Sequence, residues 1–401
     1  MTSALPRVGT SNLYANAVSQ LETRQSNLSN LQSQLSSGLR VVQPSDDPAA
    51  AAQAERDMTR INRVAADQKA LGLQKDAITQ AESTLGSAVT AVQQFRTLVV
   101  SAGNATYNAQ DIQSIVQQLT SLRDQVFSLA NTQNANGQPL FAALGSALTP
   151  FVQQTGASPG YTFNGVPGQT QGSGVSIPYS LDGQQAFMMT PALDGSYNVT
   201  YGTNAGQTTT SAVTVQNPSL VTGNNYQIVF SSNAGVTQYT VNQVAPPAMV
   251  VAATNYTANT PITFDGLSLS VNGTPQPGDS INVHPNDSIF SIMDQAISAI
   301  GAAGNSTART QAVSQALGNI DIGMNNLQTA RSQAGNLLNQ ASAITDAQTA
   351  LNTQLQANQS SAQDLDMVKG ISDFQNEQTA YTAALKSYAQ IQQLSMFNYV
   401  N

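Results

Sequence analysis

The segment Ser36-Ser37-Gly38-Leu39-Arg40-Val41-Val42-Gln43-Pro44-Ser45-Asp46-Asp47-Pro48, followed by four alanines, decides how this chain is read. In front of it Tyr14, Leu21, Leu28 and Leu35 recur every seven residues, with Leu31 between the last two. A seven-residue apolar repeat keeps one stripe of a helix facing a partner helix, so the spacing predicts a coiled-coil seam. Gly38 suits the end of that helix, because a residue without Cβ enters the left-handed region freely. Pro44 and Pro48 forbid one continuous helix through the segment. Ser45, Asp46 or Asp47 can cap the next helix, and Pro48 fits its first turn. The physics of the segment is that of a helix–loop–helix corner.

Downstream of the corner, residues 49–68 are alanine-rich with Met58, Ile61 and Val64. Leu71, Ile78, Leu85, Val92 and Val99 then step by seven, and Ala81, Ala88, Phe95 and Ala102 step by seven beside them. Two interleaved heptad series predict one long helix over 49–102 with a single apolar seam. Gly103-Asn104 breaks it. Ile112, Ile115, Leu119, Leu122, Val126 and Leu129 predict a third helix over about 109–131, returning antiparallel across a short connection. Asn131 to Gly137 is turn chemistry, and Leu140-Phe141-Ala142 follow.

From about residue 145 helical periodicity stops and Gly, Pro, Thr, Asn and Ser dominate. Runs of period two appear at Tyr161 and Phe163; Tyr197, Val199 and Tyr201; Val213 and Val215; Tyr226, Ile228 and Phe230; Tyr239 and Val241; Ile262 and Phe264; Leu267, Leu269 and Val271; and Ile281 and Val283. Each is bounded by turn residues, so an antiparallel β region over about 146–288, of sandwich or barrel type, is expected. Asp265-Gly266 fits a hairpin turn. A short helix over about 287–300 leads back to a second heptad series: Val313, Ile320 and Leu327, then Ala334, Leu338, Ala341, Ile344, Leu351 and Leu355. A last helix carries Met367, Ile371, Phe374, Tyr381, Leu385, Tyr388 and Leu394. The fold class is therefore α+β and multidomain: a long α-helical coiled-coil bundle formed by both termini, with an inserted antiparallel β domain.

Composition excludes several chemistries. Only 9% of the 401 residues are charged, against roughly 25% in an ordinary domain. The net charge is −8, and no Lys or Arg occurs between Asp124 and Ala308, so nucleic-acid binding, which needs cations to neutralise phosphates, is disfavoured. Without cysteine there are no disulfides, thiolate nucleophiles or cysteine metal sites. One histidine, His284, cannot build a multi-histidine zinc site, and no G-x-S-x-G elbow or glycine-rich phosphate loop occurs. Val283-His284-Pro285 reads as a strand end and turn. Asp182, Asp194, Asp265, Asp279 and Asp287 sit in or beside turn chemistry. Asp46-Asp47 could hold a cation, with capping the stronger reading. No apolar run reaches a membrane span or a cleaved secretory signal. Residues 1–6 read as a leader, with Pro6 and Gly9 placing the first helix near Ser11. No catalytic group, metal or cofactor is expected.

Residues 36–52 resemble the signature after the first helix of flagellar axial proteins, in particular the flagellar hook-associated protein 3 family, whose members read similarly through R-V-V-x-P-S-D-D-P. Flagellins carry a related pattern. Arg7-Val8-Gly9-Thr10 is similar to the family's R-I-S-T opening, with Gly9 a departure. Residues 134–142 resemble the family's N-x-N-G-x-x-L-F-A corner, Thr329 to Gly335 its T-x-R-x-x-x-G element, and Leu394-Ser395-Met396-Phe397 its closing L-S-L-F. The resemblance covers about 7–142 and 310–401. It implies a subunit of the bacterial flagellum at the hook–filament junction, with partners in copies of itself, hook-associated protein 1, flagellin and an export chaperone. It also implies an extracellular location reached without a cleaved signal peptide. A flagellin and a secreted coiled-coil adhesin with a β head are the alternatives.

The division expected is 1–44 and 363–401 as terminal coiled-coil helices, 45–145 and 301–362 as the two halves of a helical rod, and 146–300 as the β-rich insert. The interaction residues expected are Tyr14, Leu21, Leu28, Leu31, Leu35, Gly38, Arg40, Pro44, Asp46, Asp47, Arg331, Phe374, Tyr381, Leu385, Tyr388, Leu394 and Phe397. The seam of 71–131 is assigned to an internal core. The seams of 11–35 and 365–400 are assigned to packing between molecules, because two isolated helices bury too little to offset the entropy of ordering them. Backbone amides of 11–35 and 365–400 are therefore expected to exchange quickly in the isolated chain and slowly in an assembly. Strong protection in the monomer, read by hydrogen-exchange mass spectrometry, would refute this.

Overall fold

The structure is a computed structural model that describes residues 10–154, 160–189, 197–286 and 288–397, with the side chains of 10, 11, 13, 391 and 393–397 outside that description. The leader, Arg7 to Gly9, Asp194, Asp287 and the side chains of Leu394 and Phe397 thus lie outside the described residues. In chain order the elements are α1 (Thr10–Ser37), α2 (Pro48–Ala102), α3 (Ala109–Ala130), β1 (Phe151–Gln153), β2 (Tyr161–Phe163), α4 (Gly183–Phe187) and β3 (Tyr197–Tyr201). Then come β4 (Thr209–Thr210), β5 (Thr214–Val215), β6 (Tyr226–Asn233), β7 (Val236–Gln243), β8 (Ala248–Asn255), β9 (Pro261–Phe264), β10 (Leu267–Asn272) and β11 (Ser280–Pro285). The chain closes with α5 (Ile289–Ala302), α6 (Ser306–Gln363) and α7 (Met367–Phe397). Helical termini around an inserted antiparallel β region are the architecture that the periodicity predicts.

Two compact units result, Met1–Gln68 with Thr345–Asn401, and Lys69–Ile344. The second unit holds two cores. In the first, Ile78, Leu85, Val92 and Val99 of α2 are wholly buried together with Leu119 and Val126 of α3 and Ile320, Leu327 and Ala334 of α6. The heptad seam of 71–99 is therefore an internal one. α3 starts in a capping box: Asn108 accepts from Gln110 and Asp111 N–H, and Asp111 accepts from Asn108 N–H.

Phe290, at the start of α5, is the hub of an aromatic cluster in this core. Its ring lies 5.3 Å from Phe127, 5.7 Å from Phe151, 5.1 Å from Tyr161 and 5.9 Å from Phe187. Around it Arg123 of α3 donates to the Tyr161 hydroxyl at 2.6 Å, and that hydroxyl donates to Asp294 of α5 at 2.6 Å. Composition starts the β insert near 146, yet β1, β2 and α4 bury their aromatics among the helices. Their short, isolated pairing (Phe151 with Phe163) is too small to support a core of its own.

The second core belongs to 197–285. A five-stranded antiparallel sheet of order β3-β11-β6-β7-β8 and a second sheet centred on β10, which pairs with β9, β4 and β5, share one buried cluster. Tyr226, Ile228 and Phe230 face Leu267, Leu269 and Val271 within it. Of the two expected arrangements this is the sandwich. Asp265 and Gly266, with φ of +43° and +77°, form the turn that sets Phe264 opposite Leu267. β8 had no period-two signal: Ala248 to Asn255 is an edge strand with most residues exposed, so nothing selects alternation there. His284 pairs with Asn198 near the end of β11, with Nε2 2.8 Å from the Thr200 hydroxyl, and burial lowers its pKa.

Replacing Phe290 by Ala removes the ring that four others pack on. It is expected to destabilise the second unit by about 3–5 kcal/mol, measured by urea unfolding of the purified chain.

Candidate assembly surface at the paired ends

Unit one holds the expected interaction residues apart from Arg331. α1 and α7 pair antiparallel. Tyr388 donates to the Tyr14 hydroxyl at 2.9 Å, Arg24 pairs with Glu377 at 3.4 Å, and Leu35 packs where Gly370 leaves room. A Cβ on Gly370 would come within 3.2 Å of Leu35 Cδ2, so the glycine permits that approach. Donating this hydrogen bond to Tyr14 favours the protonated Tyr388 hydroxyl and raises its pKa.

The loop of residues 38–47 turns the chain from α1 into α2 and is held to the corner between α6 and α7. Gly38, with φ of +72°, ends α1, and its carbonyl accepts from Leu365 N–H at 2.9 Å. Arg40 N–H donates to the Gln363 carbonyl at 2.8 Å, and Arg40 Nη2 donates to the Ala362 carbonyl at 2.7 Å. These carbonyls end α6 and have no helical partner, so a guanidinium both satisfies them and meets the negative end of the helix dipole. Arg40 Nη1 reaches Asp47 Oδ2 at 3.2 Å, while Asp47 Oδ1 accepts from Ala50 N–H at 3.0 Å. Asp47 is thus the N-cap of α2, with Pro48 at its first position. Asp46 closes the turn by accepting from Val42 and Gln43 N–H at 3.0 and 2.8 Å. Pro44 is exposed at its tip. Both carboxylates are spent on backbone donors and Arg40, which is the capping role and leaves neither for a cation.

The seam between α1 and α7 differs in burial from that of unit two. Leu21, Leu28, Leu31, Leu35, Phe374, Tyr381 and Tyr388 are half-buried, and Tyr14 and Leu385 are exposed at 46% and 43%. Met367, Ile371 and Val368 are exposed as well, the last at 82%. Arg331 is not brought to this surface. It lies on α6 in unit two, where its Nε donates to Glu82 of α2 at 2.7 Å and ties these two helices.

Sequence reasoning passed over Val41, which is buried beneath the loop, Gln34, whose amide donates to the Arg40 carbonyl at 2.8 Å, and the Arg24–Glu377 pair. It also passed over Gly370 and Asp366, the latter capping α7 through Val368 and Lys369 N–H at 3.0 and 3.2 Å. The Arg24–Glu377 pair becomes readable once Tyr14 is set opposite Tyr388, since the register then follows. Among the described residues no helix is long and apolar enough to cross a membrane.

Residues 8–145 match the family model of the bacterial flagellin N-terminal helical region, and residues 199–285 match that of the flagellar hook-associated protein 1 D2-like domain. The flagellar hook-associated protein 3 of Salmonella typhimurium is 34% identical over 158 residues, which are 37% of this chain and 47% of that protein. The match thus spans about half the length of that relative. Flagellin D of Rhizobium meliloti is 28% identical over 293 residues, 71% of this chain and 61% of its own. The crystal structure of the flagellar junction protein FlgL from Legionella pneumophila superposes with a TM-score of 0.60 at 25% identity, covering 73% of this chain and 99% of that one.

The Ala50 N–H, and after it the Arg40 guanidinium, hold the Asp47 pKa below the usual carboxylate range. A lowered folded pKa contributes stability above the unfolded value, and that contribution is lost as pH falls through the folded one. Asp47→Asn is expected to raise exchange of the first-turn amides of α2 at pH 7 and to flatten their response to acidification. Unchanged exchange in the variant, read by hydrogen-exchange mass spectrometry between pH 3 and pH 7, would remove the loop tie from the account.

Proposed function

We propose that this chain, whose residues 8–145 are a flagellin-type N-terminal helical region, is a structural subunit of the bacterial flagellum at the hook–filament junction. The observation that carries the reading is the half-exposed seam of α1 and α7, set against the wholly buried seam of unit two. The same heptad grammar serves a finished core in one place and an unfinished one in the other. An unfinished apolar seam on paired ends, with the loop between α1 and α2 held by Arg40, supports burial between subunits.

In this reading 1–44 and 363–401 are the assembly core, with Tyr14, Leu21, Leu28, Leu31, Leu35, Phe374, Tyr381, Leu385, Tyr388, Leu394 and Phe397 as its contact stripe. Gly38, Arg40, Pro44, Asp46 and Asp47 form the corner that fixes it. Residues 45–145 and 301–362 form the rod, tied by Arg331, and 146–300 is the insert, with 197–285 as its outer part. The partners are copies of this chain, hook-associated protein 1 on one side, flagellin on the other, and an export chaperone that masks the C-terminal helix. The location is the extracellular flagellum, reached without a cleaved signal, and the role includes no catalytic step.

The match of 199–285 to a hook-associated D2-like domain supports the junction over the filament. The 293-residue similarity to a flagellin keeps a filament subunit as the second reading. Deleting the gene and assaying flagellin separately in the medium and on cells tests the assignment. Flagellin shed into the medium from cells with bare hooks is the expected result. Loss of the major filament band from both fractions would make the chain a filament subunit, and intact motile filaments would sink the junction role.

A further inference from the structure

The chain has few cations and uses most of its arginines internally. Among the described residues Arg24, Arg40, Arg96, Arg123 and Arg331 each hold a carboxylate, and Arg309 is buried against the Asn104 carbonyl. Arg56, Arg60 and Arg63 do not follow this pattern. All three are exposed on α2 within unit one. Arg56 donates only to the Gln53 side chain at 2.7 Å, and no described contact engages Arg60 or Arg63. Spacings of four and three residues put the three guanidiniums on one stripe of the helix. Like charges four apart destabilise a helix. Glu55 and Asp67 lie on the same helix, and neither forms an ion pair with the stripe.

The same unit carries an acceptor-rich groove between α1 and α7. It has a volume of about 570 Å³ and is lined by Asn27, Asn30, Gln34, Asp373, Asn376 and Glu377, with Leu31 and Ala380. Asp373 is exposed and makes no described ion pair or hydrogen bond, and Lys369 one turn before it stays apart. Glu377 has only the long 3.4 Å contact with Arg24. Amide oxygens and carboxylates accept, and guanidinium groups donate five N–H in a fixed fork.

We propose that the Arg56–Arg60–Arg63 stripe of one copy docks in the α1–α7 groove of a neighbouring copy, with Asp373 as its principal anion. The proposal rests on the axial role argued above and assigns one residue-level contact within it. Charge complementarity selects a second copy as the occupant, because Arg60 and Arg63 in the stripe and Asp373 in the groove make no described ion pair on the same unit. Stripe and groove are different surfaces, so the contact is head-to-tail, the kind that closes a ring or propagates a helix of identical subunits.

A disulfide trap in assembled flagella tests this, and the absence of native cysteine removes background. Two versions of the full chain, one carrying Thr59→Cys beside the stripe and one Asn376→Cys in the groove, are expressed together in a deletion strain and oxidised mildly. A cross-linked pair that needs both cysteines is expected. Arg60→Glu with Arg63→Glu, or Asp373→Lys alone, is expected to abolish the cross-link and release flagellin, and combining Arg60→Glu with Asp373→Lys to recover part of both. All the substituted side chains are exposed, and circular dichroism of each purified variant reports folding separately. No mixed cross-link in cells with intact flagella overturns the proposal, as does cross-linking of the stripe cysteine to flagellin or another protein. Those failures leave the junction role standing, whereas a deletion strain that sheds no flagellin sinks the junction role itself.

Discussion

The apolar seam of α2 has to be covered, and local chain cannot cover all of it. From Leu71 to Val99 the helix presents large side chains every seven residues, and each contributes about 1.5–3 kcal/mol only when buried. α3 returns across a short turn and supplies Ile115, Leu119 and Val126, which close part of the seam. The remainder closes on Ile320, Leu327 and Ala334, more than two hundred residues later. Everything between α3 and α6 must therefore leave and return, which is the physical condition for an inserted domain. The β sandwich of 197–285 meets that condition with its own core, while β1, β2 and α4 lend their aromatics to the helices around Phe290.

Unit one solves a different problem with the same grammar. Its loop is over-determined: Gly38, Arg40, Asp46 and Asp47 account for the free carbonyls at the end of α6, the first amides of α2 and the turn between. The seam it serves is under-filled, with Tyr14 and Leu385 exposed and the leucines of α1 half-covered. Rigid polar geometry thus sits beside an incomplete apolar contact.

Heptads were legible because burial on one helical face imposes a period, and every long helix follows from it. Strands β2, β3, β6, β7 and β9 to β11 were legible for the matching reason, alternate burial. β8 was not, because its exposed edge residues, Ala248 to Asn255, carry no alternation. The likeness of 199–285 to a hook-associated domain was equally hidden. Its residues are chosen for a sandwich interior and turns, and that leaves no short chemical motif to read. The corner of 36–48 stood out because glycine, proline and paired aspartates each answer a backbone demand. Gln34, Val41 and Gly370 did not, since a glutamine, a valine and a glycine acquire roles only from what packs on them.

By itself the sequence determined the periods, the breaks and the caps: where helices run, where strands alternate, and that the loop before Pro48 must turn and start a helix. Those features depend on backbone sterics and on which face is apolar, and both are local. Only the tertiary structure decided partners. It set Arg24 against Glu377 across 353 residues, and it placed Arg331 on Glu82 rather than among the paired ends. It also showed which of two like seams is filled. Coulomb pairs and side-chain packing act through space at a few ångströms, and proximity between distant segments is written in no single stretch of chain.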